Sequence, residues 1–193
     1  MSGFIPTVFD ALEKAWASVG SLFSDKPVGS PAEPCPLSRS ASLAGEGSSE
    51  DKKALNQLIE QIRNAGPKGK AFIESLEKAP TKTNVFVARS VEKKDGTVIQ
   101  LADTGSGITL RPTESKSGCN EVHIDPTNLI DYRATDGSTV KETPEGLLVH
   151  ELGHAKLLND KDAAQTTGGP NAEKHVREET NPIRQELGMK PER

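Results

Sequence analysis

The stretch His150-Glu151-Leu152-Gly153-His154 sets two imidazoles four residues apart around a carboxylate. On an α-helix that spacing turns through about 40°, so both rings would leave one face side by side and could grip a single metal ion. Glu151, beside His150, is close enough to take a proton from a metal-held water without being a ligand. This division of labour is what the H-E-x-x-H pattern supplies to zinc hydrolases. Residue frequencies alone produce such a match in about one sequence in a hundred or two, so the surrounding sequence has to carry the reading.

That context favours a metal. Thr143 and Pro144 have the types of a helix N-cap and first helical residue, and the helix they start continues to Asn159 with the motif near its middle. Leu148, Leu152 and Ala155 fall on a separate stripe, which can face a core while the histidines face a cleft. Catalytic zinc takes three protein ligands and leaves the fourth position to water, so one more donor is required. The segment Asn171 to Asn181, "NAEKHVREETN", is dense in candidates. Glu173 is the first choice, because it begins an E-x-x-V pattern whose small Val176 would let this helix approach the first one closely. Glu179, His175 and Glu178 share the segment, and rotation of their helix decides among them. An oxyanion would need an electrophile; Tyr132, the only tyrosine, and Arg184 are the candidates.

These residues need a scaffold, and the pattern reads as an α+β domain. "SSED" at 48–51 resembles a capping box, and Leu55, Leu58, Ile59 and Ile62 then lie on one helical face up to Gly66-Pro67. A second helix carries Phe72, Ile73 and Leu76 until Pro80 ends it. Residues 83–103 give two valine- and isoleucine-rich runs around a Lys-Asp-Gly turn, a hairpin signal, and "GITLRP" and "EVHID" add shorter strands. The expectation for 83–125 is a short, mainly antiparallel sheet, with the strand "EVHID" as the edge on which an extended substrate peptide could add and His123 on its surface. After the zinc-motif helix and the glycine-rich "TTGGPN" come a helix near Ala172 to Glu179 and a last short one, capped by Asn181-Pro182 and ended by Gly188.

Composition bounds the rest. A chain of 193 residues holds one ordinary domain, and 33% hydrophobic content with 4% aromatic is thin for a chain folded throughout. The thin part is 24–49, rich in Ser, Pro, Gly and Ala, which reads as a disordered linker. Ahead of it Ile5, Val8, Phe9, Leu12, Trp16 and Val19 recur at helical spacing, so 7–20 form an amphipathic helix when given a surface such as a chaperone groove. The division is a flexible leader over 1–49 and a catalytic domain over 50–193. With a net charge of −4 and no basic window, nucleic acid is not an expected partner. No run approaches the roughly 18 apolar residues of a membrane span, and residues 1–16 lack the pattern of a secretory signal peptide. Cys35 and Cys119 lie far apart and read as two reduced thiols.

Taken together, "LLVHELGHA", a glycine-rich loop and "EKHVREETNPIRQELGMKPER" resemble the NleD and XopG group of bacterial type III effector zinc metallopeptidases, over residues 120–193. Asparagine followed by "IRQELG" is the more specific part, since unrelated hydrolases share the zinc motif; here Thr180-Asn181 stands where relatives often show Glu-Asn. The resemblance implies a small zincin-like domain with one Zn²⁺ per chain, secretion through an injection apparatus, action in the host cytoplasm and cleavage of a host signalling protein such as a stress or MAP kinase. A secretion chaperone on the leader would be a second partner. The expected mechanism has His150, His154 and Glu173 holding zinc and Glu151 moving the proton. Two other readings compete. Asp103-Thr104-Gly105 resembles the aspartic-peptidase signature, although such chemistry needs two carboxylates and a symmetric dimer. A non-catalytic effector would use "HELGH" structurally, which wants four protein ligands and more cysteine than this chain has.

Overall fold

The computed structural model of the protein describes residues 43–160 and 169–193, so the expected helix at 7–20 and the linker up to residue 42 lie outside the described residues. The described chain is α+β. The folded part begins earlier than its composition suggests: Leu43–Gly45 is a strand (β1), not linker, paired in parallel with Thr83–Val87 (β2). Its small residues are what fit there. A Cβ on Gly45 would stand 2.8 Å from that of Leu55, so the first helix can lie directly on this strand.

That helix, Ser49–Ala65 (α1), has the expected capping box between Ser48 and Asp51 and buries Leu55, Leu58, Ile59 and Ile62. Pro67–Glu77 (α2) follows after Gly66 and buries Phe72, Ile73 and Leu76. The N–H groups of Lys68 and Gly69 at the start of α2 donate to the carboxylate of Glu186, at 2.9 and 2.8 Å. A carboxylate at a helix N-terminus is favoured by both its hydrogen bonds and the helix dipole, so this contact ties the two ends of the domain together.

The Lys-Asp-Gly turn does form a hairpin, with Gly96 at φ 87°, but its strands are Ser90–Glu92 (β3) and Val98–Gln100 (β4). β2 separates from it and enters the main sheet. Gly107–Leu110 (β5) and Asn120–Ile124 (β6) complete that sheet in the order β1-β2-β6-β5. Only β5 and β6 pair antiparallel; β2 is parallel to both its neighbours, so the sheet is mixed. β6 is therefore internal, and the edges are β1 and β5. Asp131–Arg133 (β7) and Thr139–Lys141 (β8) form a second hairpin around Asp136-Gly137, an Asp-Gly turn that hydrophobic periodicity alone does not bring out.

Pro144–Asn159 (α3) lies across β5 and β6, and Gly169–Glu186 (α4) packs on its other side. Val85, Val122 and Ile124 from the sheet meet Leu148, Val149 and Leu152 of α3 in one core shared with α1 and α2. The two short helices expected after residue 171 are one. Ala172, Val176, Thr180 and Ile183 make a continuous buried stripe, and holding that stripe to one axis outweighs the cost of Pro182 inside the helix. Gly188, at φ 76°, ends the helix region, with Met189 N–H donating to the carbonyl of Arg184 at 2.8 Å. Cys119 is disulfide-bonded, not a reduced thiol as its sequence context suggested.

The two helices touch at Gly153, where a Cβ would meet Thr180 Cγ2 at 2.8 Å and Val176 Cγ1 at 2.9 Å. A larger side chain must push α4 away. Gly153→Val is expected to lower stability by about 1–3 kcal/mol in urea unfolding, and an unchanged midpoint would contradict this packing.

Candidate metal centre

α3 can carry a polar site because its apolar residues are spent elsewhere. Thr143 caps it through Gly146 N–H at 3.2 Å, and Leu147, Leu148, Leu152 and Ala155 turn into the core. His150 and His154 then face α4, their Nε2 atoms 3.3 Å apart. Glu173 closes the triangle, with Oε2 3.4 Å from His150 Nε2 and Oε1 3.2 Å from His154 Nε2. One ligand atom from each of the three residues lies within 4.8 Å of the others. Two imidazole nitrogens and one carboxylate form the donor set of many hydrolytic zinc sites. The surroundings fit a cation as well, since Glu151 and Glu192 add two more carboxyl groups beside the pair of rings.

A proton on His150 answers the same carboxylates. Burial opposes charge on His150, yet the carboxylates of Glu173 and Glu192 outweigh it and raise its pKa to about 10. The same hydrogen bonds from His150 and His154 hold the Glu173 carboxyl well below the usual range. On the far side of His150, Nδ1 lies 3.2 Å from Glu192 Oε2.

Glu151 is 6% exposed and stands between α3 and the edge strand. Burial pushes its carboxyl up, and the two imidazoles pull it part of the way back. A carboxyl raised in this way holds a proton more readily than a free one, which suits a group that takes and returns protons. Its position is set by β5: Thr109 Oγ1 donates to Oε2 at 2.8 Å, with the main-chain oxygen of Glu151 sharing that hydrogen at 2.9 Å. Gly107 makes the room, since a Cβ there would lie 2.6 Å from Glu151 Oε1. Thr109, Gly107 and Glu192 escape a motif search. The glycine inside "GITL" was the one available signal, because a glycine in a strand often marks the close approach of another group.

The remaining candidates are placed apart from the triangle. Glu179 pairs with Lys156 at 3.2 Å, and His175 and Glu178 pair with each other at 3.6 Å on the exposed side of α4. Arg184 is fully buried and forks onto Glu142 at 3.1 and 2.7 Å, with Gly146 O also accepting at 3.1 Å. Tyr132 lies under that guanidinium, 4.8 Å from its ring centre, and gives its hydroxyl hydrogen to Lys190 O at 2.8 Å. Both groups are engaged in these contacts. Asp103 is exposed in a turn, with no second carboxylate among its described partners. His123 is buried, stacked on Phe86 and 3.1 Å from Glu121 Oε2, and is not the surface histidine its strand suggested.

No protein-family model, no curated protein and no solved structure matches the chain. The geometry and the residues themselves therefore carry the functional reading.

A pH dependence follows from the raised His150. A proton held with a pKa above the unfolded value of about 6.5 stabilises the metal-free fold fully below that value, and the contribution is lost as pH rises through about 10. A metal ion entering this site would have to displace that proton. Titration calorimetry at pH 7 in buffers of differing ionisation enthalpy should show about one proton released per zinc, with apparent affinity rising toward tenfold per pH unit. Binding without proton release would contradict the charge state assigned to His150.

Proposed function

We propose that the chain is a zinc-dependent endopeptidase of the NleD and XopG type, one Zn²⁺ per chain, that is injected into a host cell and cleaves a host signalling protein such as a stress or MAP kinase. The observation that carries this reading is the meeting of His150, His154 and Glu173 beside a buried Glu151. Zinc held there would supply a Lewis acid and a water acidified toward a pKa of about 7.

The chain's own residues supply the rest. Glu151, held by Thr109 and given space by Gly107, accepts the proton from the attacking water and returns it to the leaving amine. Burial keeps competing water from its carboxyl. β5 offers a free main-chain edge directly beside Glu151, on which an extended peptide can add as a further strand. This moves the substrate edge from "EVHID", which is internal, to Gly107–Leu110. A peptide laid there would pass the proton-transfer group and the histidine pair together. A host protein is thus the partner this reading requires, and a secretion chaperone on residues 1–49 remains part of it; among the described residues no helix is long and apolar enough to cross a membrane.

The alternative is a non-catalytic effector that binds a host protein and keeps the metal for structure. Three protein donors, not four, gather among the described residues, which favours a hydrolytic site over a structural one. The buried carboxyl of Glu151 beside the three donors also favours the hydrolytic reading.

Two substitutions separate these readings. Glu151→Gln should retain stoichiometric zinc and lose at least about 100-fold in hydrolysis, whereas His150→Ala should lose the metal. Protein termini generated in host lysate by the native chain and absent with Glu151→Gln would identify the substrate. Equal activity of the Glu151→Gln variant would end the enzymatic reading.

A further inference from the structure

The segment after Gly188 does more than end the chain's last helix. Residues 191–193 run beside the end of β7 through one antiparallel bridge: Thr135 N–H donates to Pro191 O at 3.0 Å, Arg193 N–H donates to Arg133 O at 2.8 Å, and Ala134 pairs with Glu192. Asn181 of α4 clamps the same residue from the other side. Its Nδ2 donates to Glu192 O at 2.8 Å, and its Oδ1 accepts from Glu192 N–H at 2.7 Å, so both main-chain groups of Glu192 are fixed by one side chain. Asn181 is therefore not the helix cap its Asn-Pro context suggested.

The clamp has a visible result. With its backbone held between α4 and β7, Glu192 directs its carboxylate at two cations or potential cations: Oε2 lies 3.2 Å from His150 Nδ1 and 3.4 Å from Arg184. A carboxylate can only accept, so the hydrogen between it and the ring belongs to Nδ1. Nε2, the atom facing His154 and Glu173, is then the one that would give up its hydrogen and take a metal, while Nδ1 keeps its own. A metal-binding histidine is commonly held in this way, and the partner sets both tautomer and ring orientation. Arg184, fully buried and forked onto Glu142, anchors Glu192 from behind.

We propose that Glu192 is a positioning residue of the metal centre: the segment 189–193, strapped along β7 and clamped by Asn181, holds its carboxylate on Nδ1 of His150 and so fixes that ring for metal binding. This rests on the reading of His150, His154 and Glu173 as metal ligands. The strap adds a condition to it, because the H-E-x-x-H helix and Glu173 alone leave His150 free to rotate or to carry its hydrogen on the wrong nitrogen.

Zinc affinity, measured on the full chain by competition with a chromophoric chelator, tests the proposal, together with the visible spectrum of the cobalt-substituted protein. Glu192→Ala should weaken zinc by about 10- to 100-fold and shift the cobalt bands. Glu192→Gln, whose amide oxygen still accepts from Nδ1, should recover most of that loss. Asn181→Ala, which touches no ligand, should weaken zinc several-fold by loosening the strap. Lys190→Ala, which removes exposed contacts of the same segment with Asp136 and Ser138, should stay within twofold of the native chain. Circular dichroism checks that each variant is folded; should Glu192→Ala unfold, Glu192→Gln and Asn181→Ala decide. Native zinc affinity and unshifted cobalt bands in the folded Glu192 and Asn181 variants would overturn the positioning role and leave the metal centre standing. A native chain that binds no zinc would overturn both.

Discussion

Everything at the site depends on how closely α4 lies on α3. Glu173 can reach the histidine pair only because Gly153 offers no side chain where Val176 and Thr180 press against it. The site is thus a product of helix packing. Close helix contacts built on small residues exchange side-chain burial for backbone proximity, and here the proximity is what brings a carboxylate to two imidazoles. Pro182 fits the same view. A helix that had broken there would not have kept Asn181 and Arg184 on the rigid rod that carries Glu173.

Charge is the second organising constraint. Four acidic groups, Glu142, Glu151, Glu173 and Glu192, surround two histidines and one buried arginine. Unpaired buried charge is costly, so such a group is tolerated only when each member has a partner. Arg184 answers Glu142 and part of Glu192, Thr109 supports Glu151, and the two imidazoles answer Glu173. Burial opposes charge on Arg184, yet the Glu142 contacts outweigh it and keep the guanidinium firmly protonated. The cation is thereby removed from the list of groups that could assist a substrate and becomes the anchor of the strap.

Much of the site was legible because its central part is local in sequence. His150, Glu151 and His154 lie within five residues, and helical geometry alone predicts their common face. Thr143 and Ser48 were readable as caps for the same reason. Glu173 could be named as the first of four options but not chosen, since the rotation of α4 is settled by Val176 and Thr180 against Gly153, a tertiary contact. Thr109 and Glu192 are further still, 42 residues from Glu151 and from His150 respectively. The sheet was misread for a related reason. "LAG" is too short and small to stand out as a strand, and the choice between parallel and antiparallel neighbours for β2 depends on helices that must pack over it.

The bridge that holds 191–193 beside the β7–β8 hairpin bears on the order in which the molecule comes together. Its partners are a hairpin some 58 residues away, counting from Tyr132 to Lys190, and a helix side chain just upstream. Contacts of such separation form slowly, after the local helices and hairpins have appeared. The gathering of His150, His154 and Glu173 beside Glu192 is then a late event of folding, and an ion that bound only the finished state would pull the equilibrium toward it by mass action. A chain held unfolded would consequently lack this assembled group of side chains and regain it only when the terminal contacts close.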